Sequence, residues 1–410
     1  MTPPESSPPT RLLPRAIEFL GLRRSIVGLL SMAVLVGLGE HMAEQFLPLY
    51  LLALGGGFIS VGVLNGLDNL LGALYSVPGG YLADRLGTKR ALLLFNLLSI
   101  AGFLLVIFIP TWQAVLGGSV LFLSWTAISL PATMSLVARV LPKNKRTMGV
   151  SMHSLVRRIP MALGPLIGGA FIRVWGLERG VRLAFVGATI MAVIAAVLQQ
   201  VLIEDDRATA RAAASEPNPF RLWRFMPGRL RQLLVADILV RFCEQIPYAF
   251  VVIWAVGAPG QPPGPVTALQ FGVLRTVEMA TAILIYLPVA HAADRTGKKP
   301  FVVLTFVFFT LFPVVLLCAR SFPLLVVAFV LRGLKEFGEP ARKALIMDLA
   351  PEDRKAGMFG LYYLVRDSIV SLAAFGGAWL WAIHPAVNLL TAAAFGLAGT
   401  LWFAWRGREQ

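Results

Sequence analysis

Apolar residues run through this chain in stretches of about twenty, separated by short polar loops rich in Gly, Pro, Lys and Arg. The stretches lie near 25–52, 58–80, 91–110, 112–140, 148–172 and 182–203, and again near 232–256, 267–290, 300–318, 323–347, 357–382 and 386–405. Each is long enough to cross a hydrocarbon core of roughly 30 Å as a helix. In lipid a helix satisfies its own backbone polar groups, which an open strand does not. The pattern predicts an all-α polytopic membrane protein of twelve transmembrane helices. The longest polar stretch, 204–231, divides them into two six-helix bundles, 25–203 and 232–405, flanked by tails over 1–24 and 406–410.

Composition sharpens that picture. The chain has 410 residues, 57% hydrophobic and only 14% charged, where a soluble domain carries about 25% charged residues. A net charge of +15 in a soluble protein would raise the question of nucleic acid, but its distribution points elsewhere. Most of the 37 Lys and Arg fall on one side, at the tails, the central loop and loops such as Arg85–Arg90, Arg295–Lys299 and Arg342-Lys343. The opposite loops hold only Arg173, Arg179, Arg182 and Arg320. The positive-inside rule then places both termini in the cytoplasm of an inner-membrane protein. Basicity here is topology, not nucleic-acid binding. Cys243 and Cys318 fall inside predicted spans and indicate neither a disulfide framework nor a Cys-rich metal site.

The two sets of helices echo each other. An offset of 210 carries PGGYLADRLGTKR at 78–90 onto PVAHAADRTGKKP at 288–300, and Asp68 onto Glu278. An offset of 200 carries Glu44-Gln45 onto Glu244-Gln245, with Pro48 and Pro247 shortly after. An offset of 209 carries Pro131 onto Pro340 and Leu155-Val156-Arg157 onto Leu364-Val365-Arg366. Four echoes in the same order indicate a duplication, and repeated halves that rock about a midplane site are a common plan for transporters.

The run Gly80-Tyr81-Leu82-Ala83-Asp84-Arg85-Leu86-Gly87-Thr88-Lys89-Arg90 resembles the signature loop between the second and third helices of the major facilitator superfamily, departing from it at Thr88. A degraded copy with Asp294, Arg295 and Gly297 stands where that family keeps its second copy. The resemblance implies the major facilitator fold, with its pseudo-two-fold symmetry. It also implies that Gly80, Asp84, Arg85, Gly87, Lys89, Arg90, Asp294, Arg295 and Gly297 form a conformational latch. Physically, Gly87 permits a tight turn, and Asp84 with Arg85 can make charge-assisted bonds to neighbouring helix ends. Gly164-Pro165-Leu166-Ile167-Gly168-Gly169 resembles the fifth-helix motif of the antiporter, drug-efflux branch, with Pro160 where the first glycine belongs. The plain reading of Gly164, Pro165, Gly168 and Gly169 is close helix packing through small residues. The fourth-helix arginine of many family antiporters is absent, since 112–138 holds no Arg or Lys.

Ionisable groups in the middle of spans carry most of the functional information. The acids are Glu40, Glu44, Asp68, Asp237, Glu244, Glu278, Glu336, Glu339 and Asp367, and the bases Arg157, Arg158, Arg241, Arg275, Arg332, Lys335 and Arg366. Each costs roughly 2.5–3.5 kcal/mol at the centre of a lone helix, so together they must pair or line a hydrated path. Glu40, His41 and Glu44 form one stripe on the first helix, and Asp237, Arg241 and Glu244 form another on the seventh. Arg332, Lys335, Glu336 and Glu339 crowd the tenth. These ten are the expected substrate and ion pathway, since the resemblance puts the first, seventh and tenth helices around the cavity. Asp68, Glu278, Arg157, Arg158, Arg366 and Asp367 are read as intramembrane ion pairs or coupling groups, with Asp68 and Glu278 leaning to structure. A metal at Glu40, His41 and Glu44 is disfavoured because one helix supplies too few ligands.

Together these readings predict a secondary active transporter, not an enzyme, with no cofactor and no metal. There is no nucleophile–base pair or phosphate-binding loop, and the loops are too short for a receptor domain. The expected activity is proton-coupled export of a small solute, with Glu44 or Glu244 as the coupling acid. The alternatives are proton-coupled uptake of an anionic small molecule held by Arg332, Arg241 or Lys335, and transport of a lysolipid or other lipophilic substrate. The expected partners are a small-molecule substrate, protons and membrane lipid, around a monomer.

Overall fold

The structure, a computed structural model, describes residues 24–123, 125, 156–203, 219–351 and 355–407. Its elements are α1 (Arg24–Glu44), α2 (Leu47–Ala53), α3 (Phe58–Leu86), α4 (Thr88–Phe108), α5 (Trp112–Phe122), α6 (Arg158–Trp175) and α7 (Leu177–Leu202). A 3-10 turn, Pro219–Phe225, leads into α8 (Gly228–Gln245), a second 3-10 turn (Tyr248–Phe250), α9 (Val251–Val256), α10 (Ala268–Thr296), α11 (Lys299–Cys318), α12 (Phe322–Leu334), α13 (Glu339–Leu349), α14 (Lys355–Ile383) and α15 (Pro385–Arg406). The offset of 210 read from the loop motif carries α3 onto α10 end to end, and both helices are 29 residues long. Each stops at a glycine with positive φ, Gly87 (80°) and Gly297 (96°), a conformation that a side chain makes costly. Duplication in the sequence thus reappears as duplication of helix ends.

Among the described residues, nine helical segments are long and apolar enough to cross a membrane, and all regular structure is helical. Lipid-facing positions are apolar and exposed, as at Leu284, Leu372, Trp379 and Trp405. With α1–α2, α8–α9 and α12–α13 each forming one interrupted span, successive spans alternate in direction, so the Gly87 loop and residues 297 and 350 gather at one end and Gly55, Gly176 and Gly257 at the other. At the Gly87 end, Lys89 donates from Nζ to the Gln200 carbonyl at 2.7 Å, and Gln199 returns a bond to the Lys89 carbonyl at 2.7 Å. On the repeat-related loop, Lys298 pairs with Asp348 at the foot of α13.

The halves meet along two helix pairs. α6 of the first half packs along α10 of the second, and α3 along α14. Small residues permit the approach. A Cβ on Gly169 would fall 2.5 Å from the Ala268 carbonyl oxygen, and one on Gly272 2.5 Å from that of Pro165. On the other seam, a Cβ on Gly66 would overlap the Phe375 ring. Buried apolar clusters separate the two ends. One cluster draws on both halves, including Phe46, Phe103, Phe185, Phe250, Phe271 and Trp381. Among the described residues, two others stay within one half each: Leu29, Met32 and Phe95 in the first, and Leu230, Phe306 and Phe403 in the second. Those single-half clusters lie towards the Gly87 end, the shared one towards the Gly55 end.

Candidate functional site

Three helices break where their charges are. α1 ends at Glu44 and resumes as α2 after residues 45–46, α8 ends at Gln245 and passes through 246–250 into α9, and α12 unwinds over 335–338 before α13. A proline stands within or just after each break, at Pro48, Pro247 and Pro340. Proline has no N–H to donate back along the helix and crowds the preceding turn, so the local sequence dictates the interruption. At membrane depth, non-helical backbone persists only where protein covers it or a water-filled cavity receives it.

A cavity of about 490 Å³ opens beside these breaks. The first half contributes Glu44, Asn65 and Asp68 to its wall, and the second contributes Tyr248, Phe271 and Arg332. The Glu44 carboxylate takes a 2.6 Å contact from His41 Nδ1. Asn65 donates to the Gln245 carbonyl at 3.1 Å, and Asn69 to the Gln245 side-chain oxygen at 3.1 Å, tying α3 to the end of α8. A smaller space, about 270 Å³, is lined by Glu244, Phe309, Phe312, Arg332 and Lys335.

Charges of the second half form one connected network. Glu278 faces Arg275 at 2.5 Å, Arg332 at 3.4 Å and Lys335 at 3.8 Å. Lys335 reaches Glu244 at 2.5 Å, and Arg241 holds the other Glu244 oxygen at 2.6 Å. Arg241 also stands 3.7 Å from Glu339 and 3.9 Å from Asp237. Arg342 closes the chain, bonding Asp237 directly and Glu339 at 2.6 Å. Asp237, 1% exposed, further accepts from Tyr362 at 3.0 Å and faces Arg366 at 3.4 Å. Arg366 turns its Nε to Asp367 at 2.7 Å. Such a network keeps buried charge tolerable because each group is matched by an opposite one.

The structure sorts the residues singled out in the sequence. Glu44, Asp68 and Arg332 come together at the larger cavity, and Glu244, Arg332 and Lys335 at the smaller. Asp237 and Glu339 lie deeper, within the network. Glu40 is buried, and its charge acts on Arg157. Arg158 crosses to the other half, 3.2 Å from Glu336. Gly164 and Gly168 press on α1 at His41 and Met42, and Gly169 on α10, so the Gly-Pro run lies between the two. Gly80 falls within α3, Arg85 and Arg90 are exposed at its end and the start of α4, and the side chains of Asp84, Asp294 and Arg295 lie outside the described residues. Among the described residues no three His, Cys, Asp or Glu side chains are grouped to hold a metal.

Two readings change. Arg342, placed by sequence in a basic surface loop with Lys343, is only 2% exposed and belongs to the network. Its spacing of three from Glu339 was the available signal. Asp68 and Glu278, paired by the repeat and read alike, part company. Glu278 has three bases around it, whereas Asp68 faces the cavity and, among the described charged groups, the carboxylate of Glu44. Tyr248, Asn65 and Tyr362 were not singled out at all, being polar residues without charge.

The family model of the Major Facilitator Superfamily matches residues 29–260 and 250–410, nearly the whole described chain. The chain belongs to the Major Facilitator Superfamily. It is therefore a membrane transporter of that kind. Among solved structures its fold is similar to a point mutant of the nucleoside transporter NupG (TM-score 0.77, 13% identity, 94% of this chain and 100% of that one). It is likewise similar to a peptide transporter POT in complex with sulfate (TM-score 0.76, 16% identity, 94% of each chain). In sequence it is 26% identical over 273 residues to the Danio rerio solute carrier family 2, facilitated glucose transporter member 12. That alignment takes in 56% of this chain and 43% of the fish protein, so the chain matches less than half of that relative's length. The duplicated helices, the Gly87 loop and the cavity between halves are thus features of a Major Facilitator transporter.

Proposed function

We propose that this chain is a secondary active transporter that exports a small solute in exchange for protons, by alternating access. Both termini then lie in the cytoplasm, the Gly87 end faces inward across an inner membrane, and the working unit is a monomer of two six-helix bundles. The observation that carries this reading is the cavity whose wall joins Glu44 and Asp68 of the first half to Tyr248 and Arg332 of the second. A site touched by both halves changes shape when they rock, and its carboxylates can gain and lose protons as access changes. The shared apolar cluster at the Gly55 end and the separate clusters at the other fit an inward-facing stage of that cycle. The loops over Gly80–Arg90 and Asp294–Gly297 would serve as the latch. Asp68 takes the coupling role beside Glu44, because Glu244 is already held by Arg241 and Lys335.

Export draws support from the Gly164–Gly169 run, which resembles the antiporter branch and sits between α1 and α10. Uptake of an anionic solute is less well supported, since Arg241, Arg332 and Lys335 each face a carboxylate of their own chain. The test is a solute screen on proteoliposomes carrying an internal pH dye. A cargo should move protons the opposite way across the membrane, and Glu44→Gln and Asp68→Asn should each abolish that movement. Flux of a cargo with no proton movement, or proton exchange intact in both variants, rejects the coupling.

A further inference from the structure

The repeat that builds this protein leaves its cavity electrically lopsided. Glu278 is balanced by Arg275, Arg332 and Lys335. Carried back by the offsets of the repeat, 210 for Arg275 and 209 for the tenth helix, those three bases become Asn65, Leu123 and Thr126, all neutral, while Glu278 itself becomes Asp68. The acid was kept in both halves and its cations in only one. Asp68 consequently stands on the cavity wall with Glu44 as its charged neighbour among the described residues, and Glu44 has the His41 imidazole at 2.6 Å, with Arg275 farther off and itself held by Glu278 at 2.5 Å. The cavity's base is not free to answer them. Arg332 is 4% exposed, lies 3.4 Å from Glu278, and is enclosed by the rings of Tyr248 (5.3 Å), Phe312 (5.2 Å) and Phe329 (5.7 Å).

We infer that the cavity binds an organic cation, its positive centre between Asp68 and Glu44 and its apolar body against Phe271 and Tyr248. This deepens the export reading and rests on it for direction and coupling, while the binding itself needs neither. An aromatic face adds attraction for a cation, and a desolvated carboxylate rewards a positive ligand more than a surface one does. A proton and the cation then compete for the same two carboxylates, so binding one favours release of the other.

Tetraphenylphosphonium and tetraphenylborate test this directly, because they share a shape and differ in the sign of charge. Titration calorimetry on the full chain in lipid nanodiscs, with empty discs subtracted, should show saturable binding of the phosphonium and none of the borate. Asp68→Asn and Glu44→Gln should each weaken phosphonium binding by about tenfold or more, with folding checked by thermal melting. The wild-type comparison of the two ions decides the sign of the site without any variant. Equal binding of the borate, binding of neither ion, or phosphonium affinity unchanged in both variants overturns the inference. Phosphonium binding that needs Asp68 but never moves protons leaves the cation site standing and removes coupled export. Proton-driven flux of a neutral or anionic cargo, with no phosphonium site, does the reverse.

Discussion

Arg158 Nη2 lies 3.2 Å from Glu336 Oε2, joining the start of α6 in one half to the break between α12 and α13 in the other. Both side chains are mostly covered, at 18% and 25% exposed. A partner from each half means the contact is made in one arrangement of the halves and must be remade or lost in another.

Replacing either partner, by Arg158→Gln or Glu336→Gln, should therefore alter the balance of states rather than unfold the protein. Spin labels on the two halves, read by double electron–electron resonance, should report a broader or shifted distance distribution. The swapped pair Arg158→Glu with Glu336→Arg should restore much of the original distribution. An unchanged distribution in all three variants would show that the bond does not bias the halves.

Asp237 is held by Arg342, Arg366 and Tyr362, so it anchors more partners than any acid on the cavity wall. Removing one member of a buried ion pair strands the other, at a cost of about 3–5 kcal/mol. Asp237→Asn should lower the melting temperature in detergent sharply. The double variant Asp237→Asn with Arg342→Met should recover part of the loss.

Neighbouring glycines in α14 should behave oppositely. A Cβ on Gly377 would overlap the Ile246 carbonyl oxygen, whereas one on Gly376 meets nothing within 4 Å. Gly377→Ala should destabilise by about 1–3 kcal/mol through overpacking. Gly376→Ala should be neutral or raise stability by up to about 1 kcal/mol through helix propensity. Parallel thermal melts check the contrast.

The repeat-related acids should separate just as cleanly. Glu278→Gln leaves Arg275, Arg332 and Lys335 without their shared carboxylate, so melting temperature should fall. Asp68→Asn should leave the melting temperature near wild type and abolish cargo-driven proton movement. Reversal of the two phenotypes would return Asp68 to a structural role.

How far the sequence carries can be judged from these same residues. The apolar stretches, the glycine turns at 87 and 297 and the duplication were all visible, because lipid and helix geometry impose simple periodic rules. The breaks at 45–46, 246–250 and 335–338 were only half visible. The prolines were in plain sight, but continuous apolar windows hid the unwound turns. Burial of Arg342 was hidden because a basic residue next to Lys343 reads as a loop, and only its carboxylate partners reveal otherwise. The contrast between Asp68 and Glu278 needed the structure to show which bases surround one acid, although the neutral Asn65 opposite Arg275 was there to be compared. Pairing within a bundle depends on which helix faces meet, and linear spacing does not encode that.

The joint apolar cluster has a consequence for how fast such a carrier can cycle. Phe46 of the first half meets Phe271 of the second with ring centres 6.0 Å apart, and Phe58 meets Phe250 at 6.4 Å. Opening the Gly55 end means wetting those faces, which is a small unfolding event in thermodynamic character. Its barrier should carry a heat-capacity change, so an Arrhenius plot of turnover would bend. Solutes excluded from protein surface, such as sucrose or sulfate, should slow the stroke by penalising newly wetted hydrocarbon.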